Sequence, residues 1–237
     1  MTYNLLICDD DEDILNALEI YLKQDNYNIY RASDGLEAIE LLHQQEIHLI
    51  LLDVMMPNLD GIQATARIRE FSNVPIIFLS AKVEDTDRIL GLTIGADDYI
   101  TKPFNPIDVL ARVKAALRRY TSLGGIQVTE PQPTSANQFQ TGDLFLDDDK
   151  KQVLVDGEEI VLTAIEYSIL YLLMSNMERV FSSNQIYEQV WNEPAYNVSK
   201  TISVHIRHIR EKIEANPKEP QYLKVIYGLG YKIVSLK

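Results

Sequence analysis

The chain has 237 residues, 46% hydrophobic and 24% charged, with a formal net charge of −13. That length accommodates one large domain or two ordinary ones. No apolar stretch reaches the roughly 18 residues of a membrane span, and a single cysteine, Cys8, excludes an internal disulfide framework and suits a reducing cytoplasm.

The chain opens "MTYNLLICDDDED", with no basic start and acid after a few apolar residues, so no secretion signal is expected. Cys8 lies in the apolar run and reads as a buried, inert thiol. In the first half, strand-like and helix-like segments alternate. "YNLLIC" is followed by the helical "EDILNALEIYLKQ", with Ile14, Leu18, Tyr21 and Leu22 at helical spacing. "YNIYRA" reads as a strand and "GLEAIELLHQQ" as a helix through Leu36, Ile39, Leu42 and His43. Then come strand "IHLILL", helix "GIQATARIREF", strand "VPIIFLSA", helix "DTDRILGLTIG", strand "ADDYIT" and the long helix "NPIDVLARVKAALRRY". In the last, Asn105 is the expected N-cap and Pro106 lies in the first turn. Five strands alternating with five helices predict a parallel α/β sheet covered on both faces.

Residues 121–138, "TSLGGIQVTEPQPTSANQ", lose all periodicity and read as a linker. Short β-like pieces follow, with "DDDKK" as a turn, then helical segments near 163–176, 183–191 and 198–214. The end, "YLKVIYGLGYKIVSLK", predicts a hairpin turning at Gly228 and Gly230. Small sheet, three helices and hairpin is the order of a winged helix-turn-helix. The predicted organisation is therefore domain 1–120, linker 121–138 and domain 139–237. Charge agrees with two domains, since residues 1–120 carry −9 and residues 142–237 only −3.

In a parallel α/β sheet, ligands sit outside the carboxyl ends of the strands. There the first strand brings Asp9 and Asp10, the third Asp53, the fourth Ser80 and the fifth Lys102. Three carboxylates so close do not all stay ionised without a cation. An all-oxygen, open site favours Mg²⁺ over a transition metal. One carboxylate can then act as nucleophile towards a phosphoryl group, with Lys102 and Ser80 receiving the phosphoryl oxygens. Asp53, at the tip of an apolar strand, is the expected acceptor. Asp11, Glu12 and Asp13 read as a solvated helix N-terminus, and Lys82 and Glu84 as ordinary surface charges.

In "KTISVHIRHIREKI", Ile202, Ile206, Ile209 and Ile213 form a buried stripe. The opposite face holds Lys200, Val204, Arg207, His208 and Glu211. Val204 is an apolar residue in a polar face, either an ordinary exposed valine or a contact to a thymine methyl. His205 and His208 lack a third ligand nearby and are not expected to hold a metal.

With "LLICDDDED", "LILLDVMMPNLDG", "IIFLSA", "GADDYITKPF", "TISVHIRHIREK" and "YGLGYKI", the chain resembles the bacterial two-component response regulators of the OmpR/PhoB family over nearly its whole length. The resemblance implies a flavodoxin-like (βα)5 receiver domain and a winged-helix DNA-binding domain. It implies phosphorylation of Asp53 by a partner sensor histidine kinase, and Mg²⁺ held by Asp10, Asp53 and the backbone carbonyl of Met55, with Asp9 acting through water. Ser80 and Tyr99 match its switch pair, Lys102 its phosphate-binding lysine, and Pro103 a proline following a cis bond. It implies a receiver homodimer through exposed charges, pairing Arg88 with Asp108, Asp98 with Arg112 and Asp97 with Arg119 across a two-fold axis. It makes "KTISVHIRHIREKI" the helix that reads promoter DNA, with Lys200, Thr201, Val204, His205, Arg207, His208 and Arg210 at contacting positions. Tyr231 and Lys232 of the wing match backbone contacts; many relatives carry arginine where Tyr227 stands. "WNEPAYN" lies where relatives touch RNA polymerase.

A charge of −13 gives one chain little long-range attraction for DNA, so affinity is expected to need two paired recognition helices. A rival reading is a Mg²⁺-dependent phosphohydrolase with an aspartyl-phosphate intermediate. Such enzymes commonly carry a second acid two residues after the nucleophile, and here that position is Met55. A phosphorylation-independent DNA binder is disfavoured by the complete acidic site.

Overall fold

The structure, a computed structural model, describes residues 2–23, 27–81, 94–121, 137–195 and 198–236. The chain forms two compact units, Met1–Ser122 and Leu123–Lys237.

In the first unit, β1 (Tyr3–Cys8), β2 (Tyr27–Ala32), β3 (Leu49–Asp53), β4 (Ile76–Ala81) and β5 (Asp98–Lys102) form one sheet in the order β2-β1-β3-β4-β5. All neighbours are parallel. This 2-1-3-4-5 order is the flavodoxin-like winding. Among the described residues the helices are α1 (Glu12–Leu22), α2 (Gly35–Gln44), α3 (Gly61–Arg69) and α4 (Pro106–Tyr120). The helix predicted over 85–95 falls, apart from its last two residues, outside the described residues, as do Lys82, Glu84 and Arg88.

Strand alternation sends Leu5, Ile7, Leu49, Leu51, Ile77 and Leu79 to the face covered by α1 and α4. There the α1 stripe is Leu15, Leu18 and Leu22, with Ile14 and Tyr21, expected in it, only half-buried. In α2 the buried residues are Gly35 and Ala38, while Leu36 and His43 are exposed. Small residues bring α2 close to its neighbours, which leaves Leu36 outside and Ile39, Leu41 and Leu42 half-buried. His43 instead stacks on Phe71, ring centroids 4.5 Å apart. The N-caps are acidic or amide side chains, each accepting from a first-turn N–H: Asp11, Asp34, Asp60 and, as expected, Asn105 before Pro106.

The second unit opens with the antiparallel sheet β6 (Gln138–Thr141), β7 (Leu144–Asp147), β8 (Gln152–Val155) and β9 (Glu158–Glu159). Gln138, expected to end the linker, is the first residue of β6 and bonds Asp147 at 2.8 Å. Then come α5 (Ala164–Met174), α6 (Ser183–Trp191), α7 (Ser199–Ile213) and the hairpin β10 (Leu223–Ile226) and β11 (Gly230–Ile233). Thr163 with Glu166, and Ser182 with Gln185, form capping boxes at α5 and α6. Ile202, Ile206, Ile209 and Ile213 are buried with Trp191, Phe181 and Leu223 in one core.

Candidate functional site

The first site is built at the carboxyl edge of the parallel sheet. Asp9 and Asp10 follow β1, Asp53 ends β3 and Lys102 ends β5. Ligand oxygens of Asp9, Asp10 and Asp53 all lie within 4.8 Å of one another, Asp9 and Asp53 buried and Asp10 exposed. Lys102 Nζ lies 2.6 Å from Asp9 Oδ2 and 3.1 Å from Asp53 Oδ1. The positive charge that the clustered acids need is thus supplied in part by the chain itself. Burial pushes the Asp53 carboxyl above the usual carboxylate range, with Lys102 working against it and Asp9 adding to it. Burial works to lower Lys102, but its bonds to Asp9 and Asp53 outweigh that and hold the ammonium above its ordinary range.

The loop after Asp53 is fixed by its own sequence. Gly61 donates its N–H to Val54 O at 3.1 Å. A Cβ at Gly61 would stand 2.1 Å from Asp53 O, so only glycine lets α3 begin against the strand end. Asn58, at φ 61°, donates from Nδ2 to Asp34 Oδ2 at 2.7 Å, tying the loop to the α2 cap. An oxygen-only donor set with one exposed carboxylate fits a hard divalent cation. Met55 lies in this loop with its side chain exposed. Ser80 and Tyr99 are both half-buried, on β4 and β5. The Lys102–Pro103 bond is cis, as the resemblance implied. Cys8 is buried, its Sγ donating to Asp34 O at 3.3 Å. Burial, helped by nearby carboxylates, pushes the thiol far above its ordinary range, which matches the expected inert thiol.

Three of the charges expected to be exposed on a dimer face are covered within one chain. Asp97, Asp98 and Arg119 are buried, at 3%, 2% and 7% exposure. Asp97 receives Arg69 Nη2 and Ile76 N, each at 2.9 Å, and the same guanidinium reaches the carbonyls of Gly95 and Val74. Asp98 pairs with Arg112 at 2.8 Å within the chain, and Arg112 Nε also bonds Asp108 at 3.0 Å. Arg69 was missed because it is 28 residues from Asp97 and reaches it only through the sheet edge.

The second site is α7 with its hairpin. Lys200, Ser203, Arg207 and Glu211 are exposed on α7. Thr201, Val204 and His205 are buried, at 1%, 7% and 2% exposure, so Val204 is not the exposed valine that the helical spacing predicts. The reason is that α7 is packed on more than its isoleucine stripe. His205 lies beside Trp191 with centroids 5.6 Å apart. Lys212 Nζ bonds Glu166 Oε2 at 2.7 Å, and His208 Nδ1 stands 3.8 Å from Glu166 Oε1. The arc from Val204 through His208 and Thr201 therefore turns to the protein.

Arg210, expected on DNA, donates from Nε and Nη2 to Leu223 O at 3.0 and 2.8 Å. Lys232 pairs with Glu178, and Tyr231 is half-buried, exchanging backbone bonds with Phe181. Sequence reasoning missed Glu166 and Glu214. The spacing Thr163-x-x-Glu166 is a readable capping signature. Glu214, which accepts the N–H groups of Tyr222 and Leu223 at 3.0 and 2.8 Å, carries no such local signal.

A doubly covered parallel sheet with acids and lysine at its carboxyl edge, followed by a small sheet, three helices and a hairpin, defines a receiver domain joined to a winged-helix domain. Residues 5–114 match the family model of the response regulator receiver domain, and residues 157–233 that of the C-terminal domain of transcriptional regulatory proteins. The chain is 42% identical to the uncharacterised transcriptional regulatory protein YcbL of Bacillus subtilis, covering 96% of this chain and 99% of that one. It is 38% identical to the regulatory protein VanR of Enterococcus faecium, covering 98% and 99%. It is 39% identical to the transcriptional regulatory protein SrrA of Staphylococcus aureus, covering 98% and 95%. Among solved structures, DrrB of Thermotoga maritima, an OmpR/PhoB homologue, matches at TM-score 0.50 and 30% identity over 99% of this chain and 100% of that one. A RitR variant shares the fold at TM-score 0.73 and 22% identity, covering 98% and 99%. The chain belongs to the OmpR/PhoB family of two-component response regulators, and it is a transcription regulator with a DNA-binding domain.

Proposed function

We propose that this response regulator is switched by phosphorylation of Asp53 from a partner histidine kinase, and that the switched form binds promoter DNA as a dimer. The observation that carries the reading is the cluster of Asp9, Asp10 and Asp53 around Lys102. Residues 1–120 act as the receiver, 121–138 as the linker and 139–237 as the winged-helix DNA-binding domain.

In the transfer step a carboxylate oxygen of Asp53 attacks the phosphorus of the kinase's phosphohistidine. The P–N bond breaks and the imidazole leaves. Lys102 moves from Asp53 to the new phosphoryl oxygens, and Ser80 donates to another. Asp10, Asp53 and the Met55 carbonyl would hold Mg²⁺, with Asp9 acting through water. When bound, this cation offsets the charge on the transferring group. Tyr99 follows Ser80 inward and alters the face formed by β5 and α4. There Asp98, Arg112 and Asp108 exchange their intrachain pairs for partners on a second copy, with Arg88 facing Asp108, while Arg119 stays within its own chain. Asp97 stays with Arg69. The chain catalyses only its own phosphorylation and dephosphorylation.

Lys200 and Arg207 of α7 contact DNA directly, and Thr201, Val204 and His205 set the seat of that helix. Residues 191–197 face RNA polymerase, and the protein works in the cytoplasm. The test is incubation with acetyl phosphate and Mg²⁺. Slowly decaying label at one phosphoryl group per chain, absent in Asp53→Asn, is the expected result. Continuous release of phosphate would instead mark a phosphohydrolase.

A further inference from the structure

The loop that carries Met55 is braced from the side as well as from its ends. At its ends, Val54 N donates to Leu79 O and Gly61 N to Val54 O, each at 3.1 Å. Between them the chain turns through Asn58, whose φ of 61° lies in the left-handed region that Gly and Asn tolerate best. From there Asn58 Nδ2 reaches out of its own loop and donates to Asp34 Oδ2 at 2.7 Å. One residue on, Leu59 O accepts from Gly35 N at 3.1 Å. A Cβ on Gly35 would stand 2.6 Å from that oxygen, so the two segments meet more closely than a side chain allows.

The turn that receives this loop also holds the end of β1. Asp9 N donates to Ala32 O at 3.2 Å, and Cys8 Sγ donates to Asp34 O at 3.3 Å. Residues 32–35 therefore touch both parts of the proposed cation site. One part is the β1 end with Asp9 and Asp10, the other the loop with Met55. Asp34 spans the two, taking β1 on its carbonyl and the loop on its carboxylate. A bond from an amide to an ionised carboxylate is of the stronger kind, and the Glu37 N–H and this amide hold the Asp34 carboxyl below its usual range. Asn58 itself is exposed, so its side chain is no part of the core.

A carbonyl ligand differs from a carboxylate. Asp10 and Asp53 turn about side-chain torsions to meet a cation, whereas a backbone carbonyl goes only where its loop goes. Mg²⁺ demands ligands at about 2.0–2.1 Å in a near-octahedral array, which leaves little room for a loose loop.

We infer that Asn58 is a positioning residue for the cation site: through Asp34 it sets the distance of the Met55 carbonyl from the acids at the end of β1. This rests on the reading of the acidic cluster as a Mg²⁺ site. Without the bond, the loop keeps its ends but gains freedom between them. That freedom is lost when a cation binds, and the affinity falls accordingly.

The test is a double-mutant cycle on Mg²⁺ affinity, read by isothermal titration calorimetry on the full chain without a phosphoryl donor. Asn58→Gly removes the amide and keeps the left-handed turn. Asp34→Ser removes the acceptor and keeps a cap on α2. Asn58→Gly is expected to weaken Mg²⁺ binding by roughly three- to tenfold, and the double variant should bind no more weakly than Asp34→Ser. Measuring Asn58→Gly with and without Asp34→Ser cancels whatever the Asp34 charge does for the cation on its own. In the metal-free chain, hydrogen exchange at the Leu59 and Gly61 amides should quicken in Asn58→Gly while melting stays at the wild-type value, a pattern that a role in the core would not give. Wild-type Mg²⁺ affinity in Asn58→Gly, a loss unchanged when Asp34→Ser is also present, or a loss that comes only with lowered melting overturns the inference and leaves the cation reading standing. A wild type that binds no Mg²⁺, or binds it as tightly after Asp53→Asn, overturns that reading and this inference with it.

Discussion

Lys102 and Asp9, 93 residues apart in the chain, meet at 2.6 Å across the carboxyl edge of the sheet. The same ammonium reaches Asp53, so one cation bridges the two buried acids. A divalent cation entering this cluster meets a positive charge already in place. Lys102→Ala is therefore expected to bind Mg²⁺ at least about five-fold more tightly, since about 1 kcal/mol or more of repulsion at contact distance is removed. It should also lose its phosphoryl-dependent response. Isothermal titration calorimetry checks the first part, and unchanged or weaker Mg²⁺ binding contradicts it.

Asp34 caps α2 and receives Asn58, and the backbone N–H of Glu37, the Asn58 amide and the backbone N–H of Leu36 hold its carboxyl below the usual range. A depressed folded pKa contributes stability that is present above the unfolded value, about 3.9, and lost as pH falls through the folded one. Asp34→Ala should cost about 1 kcal/mol near neutral pH, as lost caps do. The gap to wild type should narrow only below about pH 4. Urea melts of the receiver at stepped pH measure this, and a gap that widens towards acid would reverse the sign.

Gly61 has no room for a side chain, because Asp53 O would stand 2.1 Å from its Cβ. Gly61→Ala must shift the start of α3 or the end of β3. The expected result is a loss of about 1–3 kcal/mol in receiver stability together with slower labelling of Asp53 by acetyl phosphate. Normal labelling with normal melting would show that the strand end tolerates the shift.

Val204 and Arg207 are three positions apart on α7, yet one is 7% exposed and the other is exposed. Val204→Ala should lower the melting temperature of the second unit and weaken DNA binding only through that. Arg207→Ala should leave melting unchanged and reduce the salt slope of DNA binding by about one. Salt titrations of both variants beside their thermal melts separate the two roles. A changed slope in Val204→Ala with normal melting would return that residue to the interface.

The strand–helix alternation, the acids and lysine at strand ends, the Asn105 cap and the isoleucine stripe of α7 are legible in the order of residues alone. These depend on short periods and on residues within a turn of one another, which local physics fixes. That α2 packs through Gly35 and Ala38 rather than Leu36, that Arg69 claims Asp97, and that Val204 is covered emerge only once the chain is folded. Each of those depends on which distant element arrives at a given face, and a helix sequence states only that a face exists. The Ile202 stripe needed one partner surface and was legible; the arc holding Val204 and His208 was settled by Glu166 and the rest of the packing around α7, because burial belongs to a pair of surfaces and not to a residue.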